Sequence, residues 1–281
     1  MSIWFPTAPS ATGAPLTLFC FPHAGGDLAS FRHWQSGLGD GIDVAPVSLP
    51  GRERRISEPS FRSVTGLAWD LVAPTIARAG RTAFALLGHS MGAIIAFELA
   101  HKLTAAGRPP DLLIVSGEAA PQLPSRAPAV GGLSDSEFLD AVRAQGGMPD
   151  GLLDDPSFRE LLVGVLRADY WACENYRFAP QPRLDVPMLV LGGDRDPGAS
   201  LSELASWGEL SSAPTVIRTF EGGHFFVVDR LTEVIAVVRS AVDEALEEWN
   251  QRSGSAGAVG VAAAPPAFAK WLKGRRHGKS V

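Results

Sequence analysis

The stretch FALLGHSMGA, from Phe84 to Ala93, carries an apolar run directly up to a serine that two glycines bracket. The apolar residues indicate a buried strand, and the residues from Met91 onward have the pattern of a helix. Between them, GHSMG at 88–92 fits the pattern G-x-S-x-G, which is typical of a sharp strand-to-helix turn that exposes a serine hydroxyl. Side chains two positions either side of the serine would obstruct so tight a turn. The sequence therefore predicts a reactive serine, Ser90, on a strained turn.

Short apolar runs recur along the chain and alternate with helical patterns. The predicted strands are Leu16–Phe21, Ile42–Pro50, Phe84–Leu87, Leu112–Gly117, Val186–Gly193 and Thr215–Phe220. The helical patterns lie at Leu28–Leu38, Ser63–Ala79, Met91–Ala106, Leu201–Trp207 and Val227–Trp249. Continuous apolar strands that alternate with helices indicate a mostly parallel central sheet with helices on both faces. The sequence therefore predicts an α/β domain over residues 1–250.

The alternation stops between about residues 120 and 180, where helical patterns occur without a convincing strand. Ser134 with Glu137 three residues later predicts a capping box at the start of one helix. Asp155 followed by Pro156 predicts the start of a second helix. We therefore expect a helical insertion in the α/β domain that acts as a lid. Its apolar side chains either pack against one another or line a pocket.

Composition narrows the classes of protein to which the chain can belong. Its 281 residues are 46% hydrophobic, enough for one large core, and a net charge of -5 gives no reason to expect nucleic-acid binding. No apolar run approaches the roughly 18 residues of a membrane span, and the N-terminus lacks the pattern of a secretory signal. We expect a cytoplasmic monomer, without contact to membranes, whose two cysteines are free thiols.

Residues 251–281 differ from the rest of the chain. A low-complexity stretch, SGSAGAVGVAAAPP, is followed by the basic stretch KWLKGRRHGKS, which contains no acidic residue. This composition predicts a C-terminal tail outside the α/β domain.

A serine nucleophile needs a base, and the base needs a carboxylate that orients it. In domains with this kind of turn the chain order is serine, acid, histidine. His224 lies in a glycine-flanked loop just past a predicted strand and is the candidate base. Asp194 and Asp196 both follow the preceding strand. We prefer Asp196, which lies farther out in the loop before Pro197, because Asp194 fits a turn residue that bonds its own backbone.

The reaction also needs hydrogen-bond donors for a developing oxyanion. One donor is expected at the start of the helix after Ser90, where the backbone N–H of Met91 has no acceptor within the helix. A second donor is expected in the loop after the first strand, FPHAGG at 21–26, and we assign it to the N–H of Ala24. The alternative is an ordinary glycine-rich turn. No spacing of histidines and cysteines suits a metal site.

Five motifs taken together resemble the type II thioesterases of polyketide and nonribosomal peptide biosynthesis, which are stand-alone α/β-hydrolases. They are FPHAGG (21–26), PGRERR (50–55), GHSMGA (88–93), LGGDRDP (191–197) and GGHFF (222–226). The resemblance covers about residues 16–249. It implies Ser90 as nucleophile, Asp196 as acid and His224 as base, with Ala24 and Met91 as the oxyanion donors.

The resemblance also implies a substrate and a role. The substrate is an acyl thioester on the phosphopantetheine arm of an acyl or peptidyl carrier protein, and the role is editing, the removal of short or aberrant acyl groups. No metal or organic cofactor of the enzyme's own is implied. Two interpretations of Arg52, Arg54 and Arg55 stay open: they face the phosphate or an acidic carrier protein, or they lie in a solvated loop.

Other functions fit parts of the pattern. A chain-terminating thioesterase domain usually continues from a carrier domain, whereas this chain starts at Met1 and reaches its first strand near residue 16, which favours the stand-alone form. A medium-chain fatty acyl carrier-protein thioesterase would differ in pocket depth. A general carboxylesterase would prefer simple esters. A hydrolase-fold binding module is disfavoured, because such proteins usually lack a triad residue and all three are present here.

Overall fold

All six strands of the central sheet run parallel to their neighbours. The computed structural model describes residues 2–8, 13–124, 130–144 and 156–256. The strands are β1 (Leu16–Phe21), β2 (Ile42–Pro46), β3 (Ala83–His89), β4 (Leu112–Ser116), β5 (Met188–Gly193) and β6 (Thr215–Phe220). Their order in the sheet is β2-β1-β3-β4-β5-β6. The predicted parallel sheet is therefore confirmed.

Helices connect the strands and cover the sheet. They are α1 (Trp34–Leu38), α2 (Val64–Ala79), α3 (Met91–Ala105), α4 (Asp135–Ala144), α5 (Pro156–Glu174), α6 (Leu201–Ala205), α7 (Phe226–Asp229) and α8 (Leu231–Ala256). Short 3-10 turns lie at Leu28–Phe31, Glu53–Arg55 and Ser206–Leu210.

Strands β1 to β5 are buried along their whole length, whereas β6 at the sheet edge is largely exposed. The buried strands are mostly apolar because successive side chains point to opposite faces and both faces are covered. In β1, Leu16, Leu18 and Cys20 pack in one apolar cluster with residues of α1 and α8. Phe19 and Phe21 pack in a second cluster with residues of α2 and α3. The sheet therefore lies between two cores.

Two helical patterns are divided where the sequence predicts single helices. The stretch Leu28–Leu38 forms a 3-10 turn and then α1, and the long helix predicted from Val227 is divided between α7 and α8 at Arg230. Helix α8 continues to Ala256, six residues beyond the predicted domain end at 250. Residues 257–281 of the predicted tail lie outside the described residues, so its division from the domain stays a prediction.

Helices α4 and α5 form the helical insertion, which has a small apolar cluster of its own. That cluster consists of Val130, Phe138, Leu139, Val142, Val163 and Leu166. The predicted capping box at the start of α4 is present: Ser134 N–H donates to Glu137 Oε2 at 2.9 Å, and Glu137 N–H donates to Ser134 Oγ at 3.4 Å. The predicted cap at Asp155 lies outside the described residues.

None of the helices in the described ranges combines the length and the apolar character that crossing a membrane requires.

Substitution of Phe97 tests how α3 packs against the residues that cover it. It is fully buried, and its ring contacts the rings of His101, Phe178 and Trp207. We expect Phe97→Ala to lower the free energy of unfolding by about 3–5 kcal/mol, because a cavity remains where the ring was. Urea denaturation measures this loss. Leu201→Ala is the control: its side chain is 62% exposed, and a change beyond about 0.5 kcal/mol would contradict the assignment of the core.

Candidate active site

Ser90 is the single residue between β3 and α3, and its backbone is strained. Its φ of 54° and ψ of -123° lie where residues with a side chain are rarely found. Two hydrogen bonds hold this conformation. The N–H of Ser90 donates to Ser116 O at 2.8 Å, and the carbonyl oxygen of Ser90 accepts from Ala93 N–H at 2.7 Å. The turn that the sequence predicts is therefore present.

The two glycines of the motif are sterically required. A Cβ added to Gly88 would overlap the carbonyl oxygen of Gly92, and a Cβ added to Gly92 would overlap the carbonyl oxygen of Phe21. Both obstacles are backbone atoms, which cannot rotate away. The first turn of α3 therefore packs directly on the end of β1 and on the loop that follows it.

His224 and Asp196 meet at the same edge of the sheet, since β5 and β6 are adjacent parallel strands. The distance from His224 Nδ1 to Asp196 Oδ2 is 2.9 Å. Asp196 Oδ1 accepts from the N–H of Gly198 at 2.8 Å, so both carboxylate oxygens are held. Asp194 lies elsewhere: its Oδ1 accepts from the N–H of Gly222 at 2.9 Å and joins the two loops. The structure thus brings Asp196, and not Asp194, to the imidazole.

Ala24 and Met91 lie on the two segments that meet beside Ser90. Within the described ranges, the N–H of neither residue donates a hydrogen bond to a protein acceptor. The adjacent donors in the loop are occupied: the N–H of Gly25 binds Asp169 Oδ2 at 2.8 Å, and the N–H of Gly26 binds His23 O at 2.9 Å. Ala24 and Met91 therefore retain donors that a ligand oxygen could accept.

Three histidine rings surround Phe225. The ring centroids of His23, His89 and His224 lie 5.0, 5.8 and 5.2 Å from its centroid. Burial, with smaller effects from His224 and Arg52, lowers the pKa of His23 to about 4. Burial also holds the pKa of His89 well below its ordinary value, and His89 Nδ1 lies 3.0 Å from Ser116 Oγ. His23 and His89 are therefore uncharged at neutral pH.

Glu118 is a residue near this site that the sequence analysis did not single out. It follows β4, and its neighbour Gly117 packs on the rings of His89 and His224. Burial raises the pKa of Glu118 to about 7; attraction by His224 opposes the rise and repulsion by Asp196 adds to it. An acidic residue directly after a predicted strand was the available signal, the same one that marked Asp196.

The arginines of the loop after β2 do not share one role. Arg52 and Arg55 are buried, so both interpretations are wrong for them: they neither face a phosphate or a carrier protein nor lie solvated in the loop. Arg52 pairs with Asp169 of α5, and Arg55 pairs with Glu58. Arg54 is exposed, and both interpretations of it stay open.

A strained serine after β3, an aspartate after β5 and a histidine after β6, all at the carboxyl edge of one parallel sheet, define the site of an α/β-hydrolase. No three histidine, cysteine, aspartate or glutamate side chains in the described part of the chain group as metal ligands do.

Comparison with known proteins identifies the family. The family model of the thioesterase domain matches residues 16–242. Thioesterase PikA5 of Streptomyces venezuelae is 38% identical over 236 residues, which cover 83% of each chain. The type II thioesterase BorB from the borrelidin biosynthetic cluster superposes with a TM-score of 0.79 at 32% identity, covering 87% of this chain and 98% of BorB. YbtT, a type II thioesterase from the yersiniabactin NRPS/PKS biosynthetic pathway, gives 0.78 at 31% identity, covering 87% of this chain and 100% of YbtT.

The chain belongs to the thioesterase family, whose members hydrolyse thioesters. The predicted resemblance to type II thioesterases is confirmed, as is the predicted α/β-hydrolase fold.

Gly92→Ala tests the contact between α3 and the end of β1. We expect a loss of about 1–3 kcal/mol in unfolding free energy, because the new methyl group forces the backbone apart. Thioesterase activity should fall with it, since Ser90 and Met91 would move. The control is Gly164→Ala in α5, where an added Cβ meets no atom within 4 Å and alanine favours the helix. Thermal unfolding and turnover of both variants measure the effect; equal behaviour would contradict the steric argument.

Glu118→Gln tests the carboxyl group of this half-buried residue. Because the pKa of Glu118 is raised from 4.5 to about 7, the folded protein keeps a proton between those pH values that the unfolded chain releases. Stability from this group is therefore lost as the pH rises from 4.5 to 7. The neutral variant avoids that loss, so relative to wild type it should gain up to about 3 kcal/mol between pH 4 and pH 8.

Urea denaturation at the two pH values measures the difference. The control is Glu247→Gln at an exposed position of α8. The same pH dependence in both variants would show that Glu118 titrates as an exposed carboxyl group does.

Proposed function

We propose that Ser90, His224 and Asp196 form a catalytic triad that releases acyl groups from the phosphopantetheine arm of acyl or peptidyl carrier proteins. The observation that carries the proposal is the 2.9 Å contact between His224 Nδ1 and Asp196 Oδ2, at the sheet edge where strain exposes Ser90. The origin of BorB and YbtT in biosynthetic clusters supports carrier-bound substrates. We further propose that the enzyme edits, which means that it removes short or aberrant acyl groups.

The first half of the reaction forms an acyl-enzyme. His224 Nε2 accepts the proton of Ser90 while the serine oxygen attacks the thioester carbonyl carbon. The N–H groups of Ala24 and Met91 stabilise the oxyanion of the tetrahedral intermediate. The C–S bond then breaks, and the imidazolium returns its proton to the thiolate, which leaves as the free thiol of the arm. Asp196 holds the imidazole in the tautomer with a proton on Nδ1 and stabilises its charged form.

The second half releases the acid. His224 takes a proton from water, and the resulting oxygen nucleophile attacks the acyl-serine ester at the same carbonyl carbon. The tetrahedral intermediate collapses with the proton returned to Ser90 Oγ, which restores the enzyme. These steps use protein groups and water alone, so we propose that the enzyme has no metal or organic cofactor. The substrate itself carries the phosphopantetheine. We propose that the helical insertion acts as a lid over the acyl pocket.

The test measures acyl release from a carrier protein loaded with acetyl, propionyl, hexanoyl or a long acyl group. Wild type should release the short chains, and Ser90→Ala should reduce release by about 10⁴-fold or more, because the nucleophile is lost. Mass spectrometry of the carrier protein follows both the acyl form and the free thiol. Ser36→Ala, at an exposed serine of α1, is the control.

Each other outcome points to a different function. Release of long chains alone would identify a chain-terminating or fatty acyl enzyme. Rapid cleavage of a nitrophenyl ester without carrier turnover would identify a carboxylesterase. Turnover that Ser90→Ala leaves intact would contradict the triad.

A further inference from the structure

One buried ion pair joins the loop after β2, the loop after β1 and helix α5 of the insertion. Arg52 Nη2 donates to Asp169 Oδ1 at 2.7 Å, and Arg52 Nη1 donates to Asp169 Oδ2 at 2.9 Å. The side chains are 6% and 0% exposed. Such a two-pronged geometry fixes both the distance and the relative orientation of the two groups.

The same two side chains also bind the backbone of the loop after β1. Asp169 Oδ2 accepts from the N–H of Gly25 at 2.8 Å, and Arg52 Nη1 donates to the carbonyl oxygen of Gly26 at 2.9 Å. The turn is closed by the N–H of Gly26, which donates to His23 O at 2.9 Å. Of the three peptide groups that follow Ala24, the first and the third are thus held from outside the loop, and the second is held within it.

These bonds determine the direction of the Ala24 N–H. The carbonyl group of His23 and the N–H of Ala24 belong to one planar trans peptide, so they point in opposite directions. Because His23 O is held by Gly26, the Ala24 N–H is aimed away from the turn. Among the residues that the structure places, that N–H meets no protein acceptor.

The surroundings of the pair show that its parts are closely fitted. Gly51 and Glu53, on either side of Arg52, have positive φ values of 83° and 48°, and the strain at Glu53 needs support from its environment. A Cβ added to Gly25 would overlap the side chain of Leu166 on α5. Helix α5 therefore lies directly on the turn that the ion pair holds.

A contribution to the free energy of unfolding does not by itself explain the buried Arg52–Asp169 pair. Desolvation of two buried charges offsets most of their attraction, and well-packed apolar replacements are often equally stable. A role in geometry is the better explanation, because the carboxylate and the guanidinium each satisfy a backbone group beside Ala24.

We propose that Arg52 and Asp169 are positioning residues that aim the Ala24 N–H at the oxyanion, so that catalysis depends on the docking of helix α5. This inference rests on the proposed function, since it assigns a task within the same reaction. Neither residue touches the reacting atoms. Their loss should therefore weaken transition-state stabilisation and leave substrate binding nearly unchanged.

The main test is the double variant Arg52→Met/Asp169→Leu, which removes both charges and leaves neither buried alone. On an acyl-N-acetylcysteamine thioester we expect kcat to fall by about 10- to 100-fold, below the roughly 10²- to 10³-fold loss of a whole oxyanion donor. KM should change by less than about 3-fold. Affinity for a trifluoromethyl ketone, whose adduct with Ser90 carries an oxyanion, should fall by the same factor as kcat/KM.

The matched control is Arg78→Met/Asp43→Leu. This second Arg–Asp pair is similarly buried, with side chains 10% and 8% exposed, and is also bound through two nitrogens. It joins α2 to β2, near the amino end of that strand. We expect its removal to leave kcat and ketone affinity within about 3-fold of wild type, whatever it does to the melting temperature.

Arg52→Lys is the second variant, for the case that the double variant does not fold. It keeps the charge and loses the planar fork, and we expect kcat to fall by about 5- to 20-fold with KM nearly constant. Wild-type kcat and ketone affinity in a folded Arg52→Lys or double variant would overturn the inference. Failure of the proposed function would appear differently, as turnover and ketone binding that survive Ser90→Ala.

Discussion

The structure depends on a steric constraint: three backbone segments approach so closely at Ser90 that no side chain fits between them. Gly88 packs on Gly92, and Gly92 packs on the end of β1. The contact fixes α3 against β1, and it forces Ser90 to positive φ. The backbone of Ser90 is therefore held at the sheet edge, and the free energy of folding maintains its strain.

The parallel sheet extends this constraint to the rest of the site. Strands that run in one direction end at one edge, so residues distant in sequence meet there. Asp196 and His224 follow adjacent strands. The carbonyl oxygen of Ser116, at the end of β4, accepts a hydrogen bond from the N–H of Ser90. The layout also places Glu118 and the neutral His23 and His89 around the imidazole. Two cores hold the sheet from both faces, so the edge can consist of loops whose shapes serve the site.

Sequence patterns predict those features whose causes are local in the chain. Mostly apolar runs predicted β1 to β5 because these strands are buried on both faces, whereas β6 at the edge of the sheet is largely exposed. The spacing of glycines around Ser90 predicted the turn, since the obstacle at Gly88 is the nearby backbone of Gly92. The obstacle at Gly92 is the distant Phe21, which the sequence does not show. The pairing of Arg52 with Asp169 could not be predicted in this way, since 117 residues separate them and burial alone distinguishes them from surface charges. Glu118 also follows a predicted strand directly, but this position does not reveal its burial or its neighbours, which form only in the folded chain. The break between α7 and α8 could not be predicted either, because the periodic pattern of apolar residues continues across it.

The separate apolar cluster of α4 and α5 has a consequence for motion. Its six buried side chains form a cluster separate from the two cores of the sheet, so the insertion keeps its internal contacts if it opens. Opening must break the buried Arg52–Asp169 ion pair and the contacts of Ala172 with the main core. Such a segment is expected to open as a cooperative unit, at a lower free energy than global unfolding requires. Amide hydrogens within α4 and α5 would then exchange together and faster than those of β3.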